Sequence, residues 1–208
     1  MAYTGFISKY DLELFAAILL SDKKAPADAK HYASNVAANI CMGDAEVLEA
    51  VADEINLSFI DPIKTLKNAL SRFPDELITS RNQHFAKLFD VNTNVLYKTI
   101  WEAQLQSFYS LVEVQLIQLI EKWNDNIRDT LANHTITQYG EHITEPNDVE
   151  LGTLFFMIST QSQIGKYILY IPDEYDRKRI RFLRDFRNNL AHSVMSEPEC
   201  VTKFLSDI

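Results

Sequence analysis

The strongest constraint on the fold of this chain is one long amphipathic segment, which runs from about Asn94 to Trp123. Apolar side chains recur in it at intervals of three and four residues, so an α-helix would place them on one stripe. The members of this stripe are Leu105, Phe108, Val112, Leu116, Leu119 and Trp123. The five glycines and six prolines among the 208 residues are too few for the many turns of a β-sandwich or barrel. The sequence therefore predicts an all-α fold.

Helix signals on both sides of this segment complete the predicted architecture. The other predicted helices are Lys9–Leu20, one after Pro26 that stops at Gly43, one capped by Asp61 with Pro62 in its first turn, one begun by Pro74, about Ile127 to Gln138, one from Pro146 through Ile158, about Tyr175 to His192, and a short one from Ser196. The polar stretch from Asp90 to Asn94 marks the predicted boundary. We expect an N-terminal helical region over residues 1–92 and an up-and-down helical bundle over residues 93–208.

Charge and cysteine usage exclude several classes of protein. The net charge of −9 disfavours nonspecific nucleic-acid binding, and we expect no DNA partner, because such binding needs Lys and Arg to neutralise phosphates. Cys41 and Cys200 lie far apart without metal-ligand spacing, so we expect no disulfide, metal or cofactor. The first apolar run contains Asp11 and Glu13, unlike a signal peptide, and no run of about 20 apolar residues predicts a membrane span. The expected location is the cytoplasm.

One strongly basic helix interrupts this acidic composition. Between Asp176 and Arg187 six cationic residues face only two aspartates. A helical projection at about 100° per residue divides the segment into a polar strip and an apolar side. The polar strip consists of Arg177, Arg181, Arg184, Asn188 and His192, and the apolar side of Ile180, Leu183, Phe186, Leu190 and Val194. Arg187 departs from the pattern, because it projects among the apolar residues.

Two explanations account for an arginine on the apolar side. Arg187 would form a partly buried ion pair, with Glu113 of the long helix as the favoured partner, because an unpaired buried guanidinium is costly. Alternatively, Arg187 lines a cleft and holds a phosphate by a bidentate contact. His192 would then move a proton, since histidine is the side chain that titrates nearest to neutral pH.

The stretch Arg187-Asn188-Asn189-Leu190-Ala191-His192 resembles the R-x(4–6)-H signature of HEPN domains. The polar residue after the arginine and the small residue before the histidine are also typical of that family. The resemblance extends to the helix that opens at Leu151, the long helix that carries Glu113, and the short closing helix, and it covers about Asn94 to Ile208. A second pair, Arg128 and His134, has five intervening residues and is interpreted as part of a solvated helical face.

The resemblance implies a metal-independent endoribonuclease whose site lies at a homodimer interface. Arg187 would bind the phosphate and stabilise the transition state, His192 would be the general acid and base, Asn188 a supporting polar group, and Glu113 an orienting partner. The candidate RNA-binding residues are Arg177, Arg181 and Arg184, for which a merely solvated face is the alternative. By family analogy we expect a role in prokaryotic antiviral defence or a toxin–antitoxin system, with a regulatory protein partner.

The competing interpretation is a noncatalytic helical interaction module, such as an antitoxin or a regulatory adaptor that uses the same bundle to dimerise. A fold does not by itself distinguish the two, because helical bundles carry many unrelated functions. Arg187 buried against Glu113, with His192 facing solvent elsewhere, would favour the adaptor.

Overall fold

The computed structural model describes residues 7–73, 94–161 and 165–207. Within these residues the chain forms nine α-helices: α1 (Lys9–Leu20), α2 (Ala27–Ile40), α3 (Ala45–Glu54), α4 (Pro62–Leu70), α5 (Val95–Lys122), α6 (Asn124–Asn133), α7 (Leu151–Ser159), α8 (Glu174–Ala191) and α9 (Pro198–Ser206). A 3-10 helix, Pro146–Asp148, and a hairpin of two-residue strands, β1 (Thr137–Gln138) and β2 (Glu141–His142), lie between α6 and α7. The prediction of an all-α helical bundle is confirmed in its fold class.

The chain divides into two compact units. The first comprises Met1–Phe108 and Asn189–Ile208, and the second comprises Tyr109–Asn188. The predicted boundary between residues 92 and 93 lies outside the described residues and stays a prediction, as does the helix predicted to begin at Pro74.

The core of the first unit is built around three aromatic side chains from distant parts of the sequence. The ring of Tyr32 on α2 lies 4.6 Å, centroid to centroid, from that of Phe108 on α5. Phe108 in turn lies 5.2 Å from Phe204 on α9, and all three side chains are fully buried. Tilted aromatic pairs at these distances add to the free energy gained by burial. Phe108 of α5 therefore contacts both α2 and the C-terminal helix α9 within this unit.

The start of α4 follows the predicted capping chemistry. The Asp61 side chain accepts a hydrogen bond from the Lys64 backbone N–H at 3.0 Å, and Pro62 begins α4. An N-cap carboxylate satisfies a backbone donor that the first turn leaves without a helical partner. The predicted stop at Gly43 is also confirmed, since α2 ends at Ile40 and both Met42 and Gly43 have positive φ.

The helix predicted over about Ile127 to Gln138, in the second unit, is wrong at its C-terminal end. α6 ends at Asn133, and Gln138 instead belongs to strand β1. Tyr139 and Gly140 connect the strands with φ values of 52° and 86°. Two consecutive positive φ angles give the backbone twist that a two-residue hairpin requires, and glycine adopts such a conformation easily. Gly140 therefore closes a hairpin and does not end a helix.

A buried glutamine joins α5 to the segment before α9 within the first unit. The Gln104 side chain is 1% exposed, and its Nε2 donates to the Ser196 carbonyl at 2.8 Å. Its Oε1 accepts from the Ser196 backbone N–H, also at 2.8 Å. One amide side chain thus satisfies both backbone polar groups of a residue that is itself buried.

Replacing this glutamine by an apolar residue of similar size should destabilise the protein strongly. Gln104→Leu should lower the free energy of unfolding by about 2–4 kcal/mol, because each stranded buried polar group costs about 1–3 kcal/mol. Urea unfolding followed by circular dichroism measures the change. Gln106→Leu is the matched control, because Gln106 is exposed and bonds only to the ammonium of Lys9 among the described residues. Equal stability of the two variants would contradict the role of Gln104.

Candidate functional site

The predicted catalytic histidine lies in the turn that ends α8. α8 ends at Ala191, and His192 follows it as an exposed residue. Ser193 has a φ of 59°, and the Val194 N–H donates to the Asn189 carbonyl at 2.9 Å. A left-handed residue together with this six-to-one hydrogen bond forms a Schellman motif, a common helix C-terminus. His192 is therefore the C-cap residue, presented to solvent by a defined turn.

The backbone on both sides of His192 is fixed by side chains of α5 in the first unit. Trp101 donates its indole N–H to the Leu190 carbonyl at 2.8 Å, and Leu190 lies in the last turn of α8. Gln104 binds both backbone groups of Ser196, four residues after the histidine. The Asn189 amide also donates to the Ser196 hydroxyl at 3.3 Å. His192 thus has an exposed side chain on a backbone that is held at two points.

Arg187 lies in the last full turn of α8 and belongs to the second unit. Its side chain is half-buried, and no ion pair joins it to a carboxylate of the described residues, Glu113 included. The structure does show an electrostatic influence of Arg187 on the Tyr139 phenol at the hairpin turn. The hydrogen bond from Tyr139 to Glu150, at 2.9 Å, raises the pKa of the phenol, and the positive charge of Arg187 acts in the opposite direction.

The two supporting residues of the predicted site are also half-buried. Asn188 follows Arg187 on α8, and Glu113 lies on α5 in the second unit. The described contacts do not include the ion pair between Arg187 and Glu113 that would have explained an arginine on the apolar side. A described group on which Arg187 acts electrostatically is Tyr139 at the hairpin turn, a residue that the sequence does not single out.

The helical projection of α8 is right for most of its length. Ile180, Leu183, Phe186 and Leu190 are 2% exposed or less. Val194, which the projection placed on the same apolar side, is 49% exposed. The reason is that the helix ends at Ala191, and the left-handed Ser193 turns the chain, so helical spacing no longer predicts direction beyond that point. The same break takes His192 off the regular helix.

The three predicted RNA-binding arginines are held by other groups of the second unit. The guanidinium carbon of Arg184 lies 3.9 Å from the centre of the Phe155 ring, and that of Arg181 lies 6.0 Å from it. Arg177 donates to the backbone carbonyls of Ile171 and Pro172. Cation–π contacts of this kind are worth about 0.5–1 kcal/mol at exposed sites. The polar strip is therefore an ordered basic surface that includes an aromatic ring.

Arg184 also contains an incompletely satisfied donor. Its Nε lies 2.9 Å from a carboxylate oxygen of Asp185, close enough for an ion pair. The N–H is nevertheless not directed at that oxygen, so this buried nitrogen makes no hydrogen bond to the described residues. The positive charge of Arg184 is thus partly compensated by Asp185, whereas its Nε–H donor has no hydrogen-bond acceptor among the described residues.

Sequence reasoning missed the aromatic residues of this surface. The helical spacing from Pro146 through Ile158 does not single out Phe155, and Tyr167 and Tyr170 belong to no motif, although both tyrosines are at least 50% exposed. The available signal was the pair of tyrosines in Tyr167-Ile168-Leu169-Tyr170, just ahead of the basic helix. The structure places Tyr170 between the buried residues Leu169 and Ile171, so that its side chain faces solvent.

No protein-family model, curated protein or solved structure matches the chain. None of the helices in the described ranges 7–73, 94–161 and 165–207 is both long enough and apolar enough to cross a membrane. The same ranges contain no group of three or more His, Cys, Asp or Glu side chains arranged to hold a metal ion.

Substitutions at the two motif residues should leave the fold largely intact. His192→Ala and Arg187→Ala should each lower the free energy of unfolding by no more than about 1 kcal/mol, because neither side chain has a described ion-pair partner and His192 is exposed. The unfolding midpoint in urea measures this, with Gln104→Leu as the destabilised reference. A loss for Arg187→Ala as large as that of Gln104→Leu would reveal a buried ion pair and contradict the described surroundings of Arg187.

Proposed function

We propose that the chain is a metal-independent endoribonuclease in which Arg187 binds the scissile phosphate and His192 transfers protons. The observation that carries the proposal is the R-x4-H spacing, which ends in an exposed histidine whose flanking backbone is fixed by Trp101 and Gln104. Groups that act in proton transfer must be accessible to substrate and well positioned; the His192 side chain is exposed, and the backbone on both sides of it is held.

The proposed chemistry uses the ribose 2′-hydroxyl as nucleophile. The 2′-oxygen forms a bond to the adjacent phosphorus while its proton passes to a base, and the bond from phosphorus to the 5′-oxygen breaks as that oxygen receives a proton. The products are a 2′,3′-cyclic phosphate and a 5′-hydroxyl. Arg187 stabilises the additional negative charge on the phosphoryl oxygens, and His192 supplies a proton-transfer group.

The remaining site residues act around this pair in the proposal. Asn188 provides a polar contact beside Arg187, and Glu113 orients the arginine once substrate is bound. Arg177, Arg181 and Arg184 bind the RNA backbone, since they form an ordered basic strip on α8 in a chain whose net charge is −9. The proposal assigns the protein to the cytoplasm and, by family analogy, to prokaryotic antiviral defence or a toxin–antitoxin system.

A homodimer completes the proposed mechanism, because one His192 in each chain does not supply both a base and an acid. Two exposed apolar side chains of α5 in the second unit, Val114 at 48% and Ile117 at 54% exposure, support a contact through this part of the bundle. Light scattering after gel filtration should give twice the chain mass of 23.9 kDa. Ribonuclease activity in a protein that remains monomeric at the assay concentration would exclude the dimeric mechanism.

Removing the proposed proton-transfer group should abolish cleavage without unfolding the protein. His192→Ala should lower the cleavage rate of a mixed RNA substrate at least ~100-fold, because a positioned acid or base contributes about 10²- to 10⁴-fold. His134→Ala is the matched control, since His134 is also exposed and follows a helix end. The wild-type rate should persist in EDTA.

Two results would refute the assignment of His192. The first is a rate for folded His192→Ala within twofold of wild type, which would indicate another catalytic group or a contaminating nuclease. The second is a strict Mg²⁺ requirement for cleavage. Arg187→Ala provides an independent check, because loss of phosphate binding should also abolish cleavage while Arg128→Ala, at an exposed ion pair with Glu145, should not.

A noncatalytic interaction module is the second candidate function, and one observation favours it. Tyr10, Leu14 and Ile18 lie one helical turn apart on α1 and are 81%, 63% and 60% exposed, which is unusual for a helix without a partner. This face suits a regulatory protein partner in either function. An inactive wild-type protein whose binding to a partner requires Leu14 would favour the adaptor or antitoxin.

A further inference from the structure

A pocket of about 420 Å³ lies in the second unit, on the basic side of α8. Its walls are the C-terminal part of α7, the segment from Tyr167 to Ile171, and the first turns of α8. Neither Arg187 nor His192 lines it. The volume falls within the range of pockets that bind small organic molecules, about 300–1,000 Å³. It is large enough for a single nucleotide.

The two tyrosines at this pocket are directed outward by a fixed segment of backbone. The Leu169 N–H donates to the Met157 carbonyl and the Ile168 N–H to the Thr160 carbonyl, both at 3.0 Å. These bonds attach the segment to the end of α7. Leu169 and Ile171 are buried, so Tyr170 between them faces outward and is 65% exposed, and Tyr167 is 50% exposed.

The opposite wall of the pocket is cationic. Arg177, Lys178 and Arg181 line it against one carboxylate, Glu174, which pairs with Lys178 at 2.7 Å. The backbone carbonyls that accept from Arg177 and the Phe155 ring near Arg181 restrict the positions of these two guanidiniums. An ordered pair of arginines beside exposed tyrosine rings offers phosphate contacts and base-stacking surfaces within one pocket.

We propose that this pocket binds an unpaired nucleotide of single-stranded RNA. The base stacks on the ring of Tyr167 or Tyr170, and Arg177 and Arg181 contact the adjacent phosphates. Single-stranded nucleic acid is recognised by this combination, because its bases are free to stack on aromatic side chains whereas those of a duplex are not. An acidic peptide would use the arginines but would leave the tyrosines without a role. This inference rests on the proposed ribonuclease function and assigns that enzyme a substrate class.

The test is direct binding of a labelled single-stranded RNA to the full chain, measured by fluorescence anisotropy in EDTA. His192→Ala serves as the parent, so that cleavage does not interfere. Adding Tyr167→Ala or Tyr170→Ala should, for the tyrosine on which the base stacks, weaken binding about fivefold or more, because stacking on one aromatic side chain contributes about 1–3 kcal/mol. The corresponding Phe substitutions should retain the affinity of the parent. Tyr97→Ala is the matched control, with an exposure of 52% on α5 in the first unit.

The salt dependence of RNA affinity distinguishes the contribution of the arginines from that of the tyrosines. Arg181→Ala should reduce the slope of the logarithm of affinity against the logarithm of salt concentration by about one, whereas Arg128→Ala should not change it. A duplex of the same sequence should compete poorly. Displacement of the RNA by poly-glutamate of equal charge at equal concentration would overturn the proposal in favour of an acidic protein ligand.

The outcomes also distinguish this inference from the function on which it rests. A double Tyr167→Ala, Tyr170→Ala variant that binds RNA as tightly as the Tyr97→Ala control would refute the pocket, whatever the cleavage assay gives. RNA that binds through the tyrosines but is not cleaved by the wild-type protein would refute the ribonuclease and leave the pocket as an RNA-binding site.

Discussion

The paired hydrogen bonds between the Gln104 side chain and the Ser196 backbone are the interaction on which the rest of the first unit depends. Both backbone groups of Ser196 are removed from water, so without Gln104 they would lack partners among the described residues. The same helix binds the Leu190 carbonyl through Trp101. These contacts hold the backbone between the end of α8 and the start of α9, and with it the turn that carries His192.

The second unit depends on a different kind of interaction, between cations and aromatic or acidic groups. The buried carboxylate of Asp176 accepts a hydrogen bond from Trp123 at 2.8 Å and pairs with Lys122 at 2.6 Å, which joins the end of α5 to the first turn of α8. This contact raises the pKa of Lys122. The arginines that follow on α8 then lie beside Phe155 and the pocket. The basic strip is therefore ordered, although it belongs to an acidic chain.

The sequence predicted the structure correctly where local chemistry determines that structure. The N-cap at Asp61, the bounds of α1 and the apolar side of α8 up to Leu190 follow from periodicity and capping residues. The hairpin at Tyr139 was missed because two-residue strands are too short to show alternation. The surroundings of Arg187 and the pocket at Tyr170 were missed because tertiary packing brings together segments that no local pattern relates.

The central claim, that the 2′-hydroxyl attacks with the help of His192, is tested most directly with a defined RNA oligonucleotide that contains a single 2′-deoxyribose at a mapped cleavage position. With wild-type protein in EDTA, the all-ribose strand should give 2′,3′-cyclic phosphate and 5′-hydroxyl ends by mass spectrometry, and the substituted position should not be cut. Cleavage at the deoxy position, or products with 5′-phosphate ends, would contradict the mechanism, because neither outcome can arise from attack by the neighbouring 2′-oxygen.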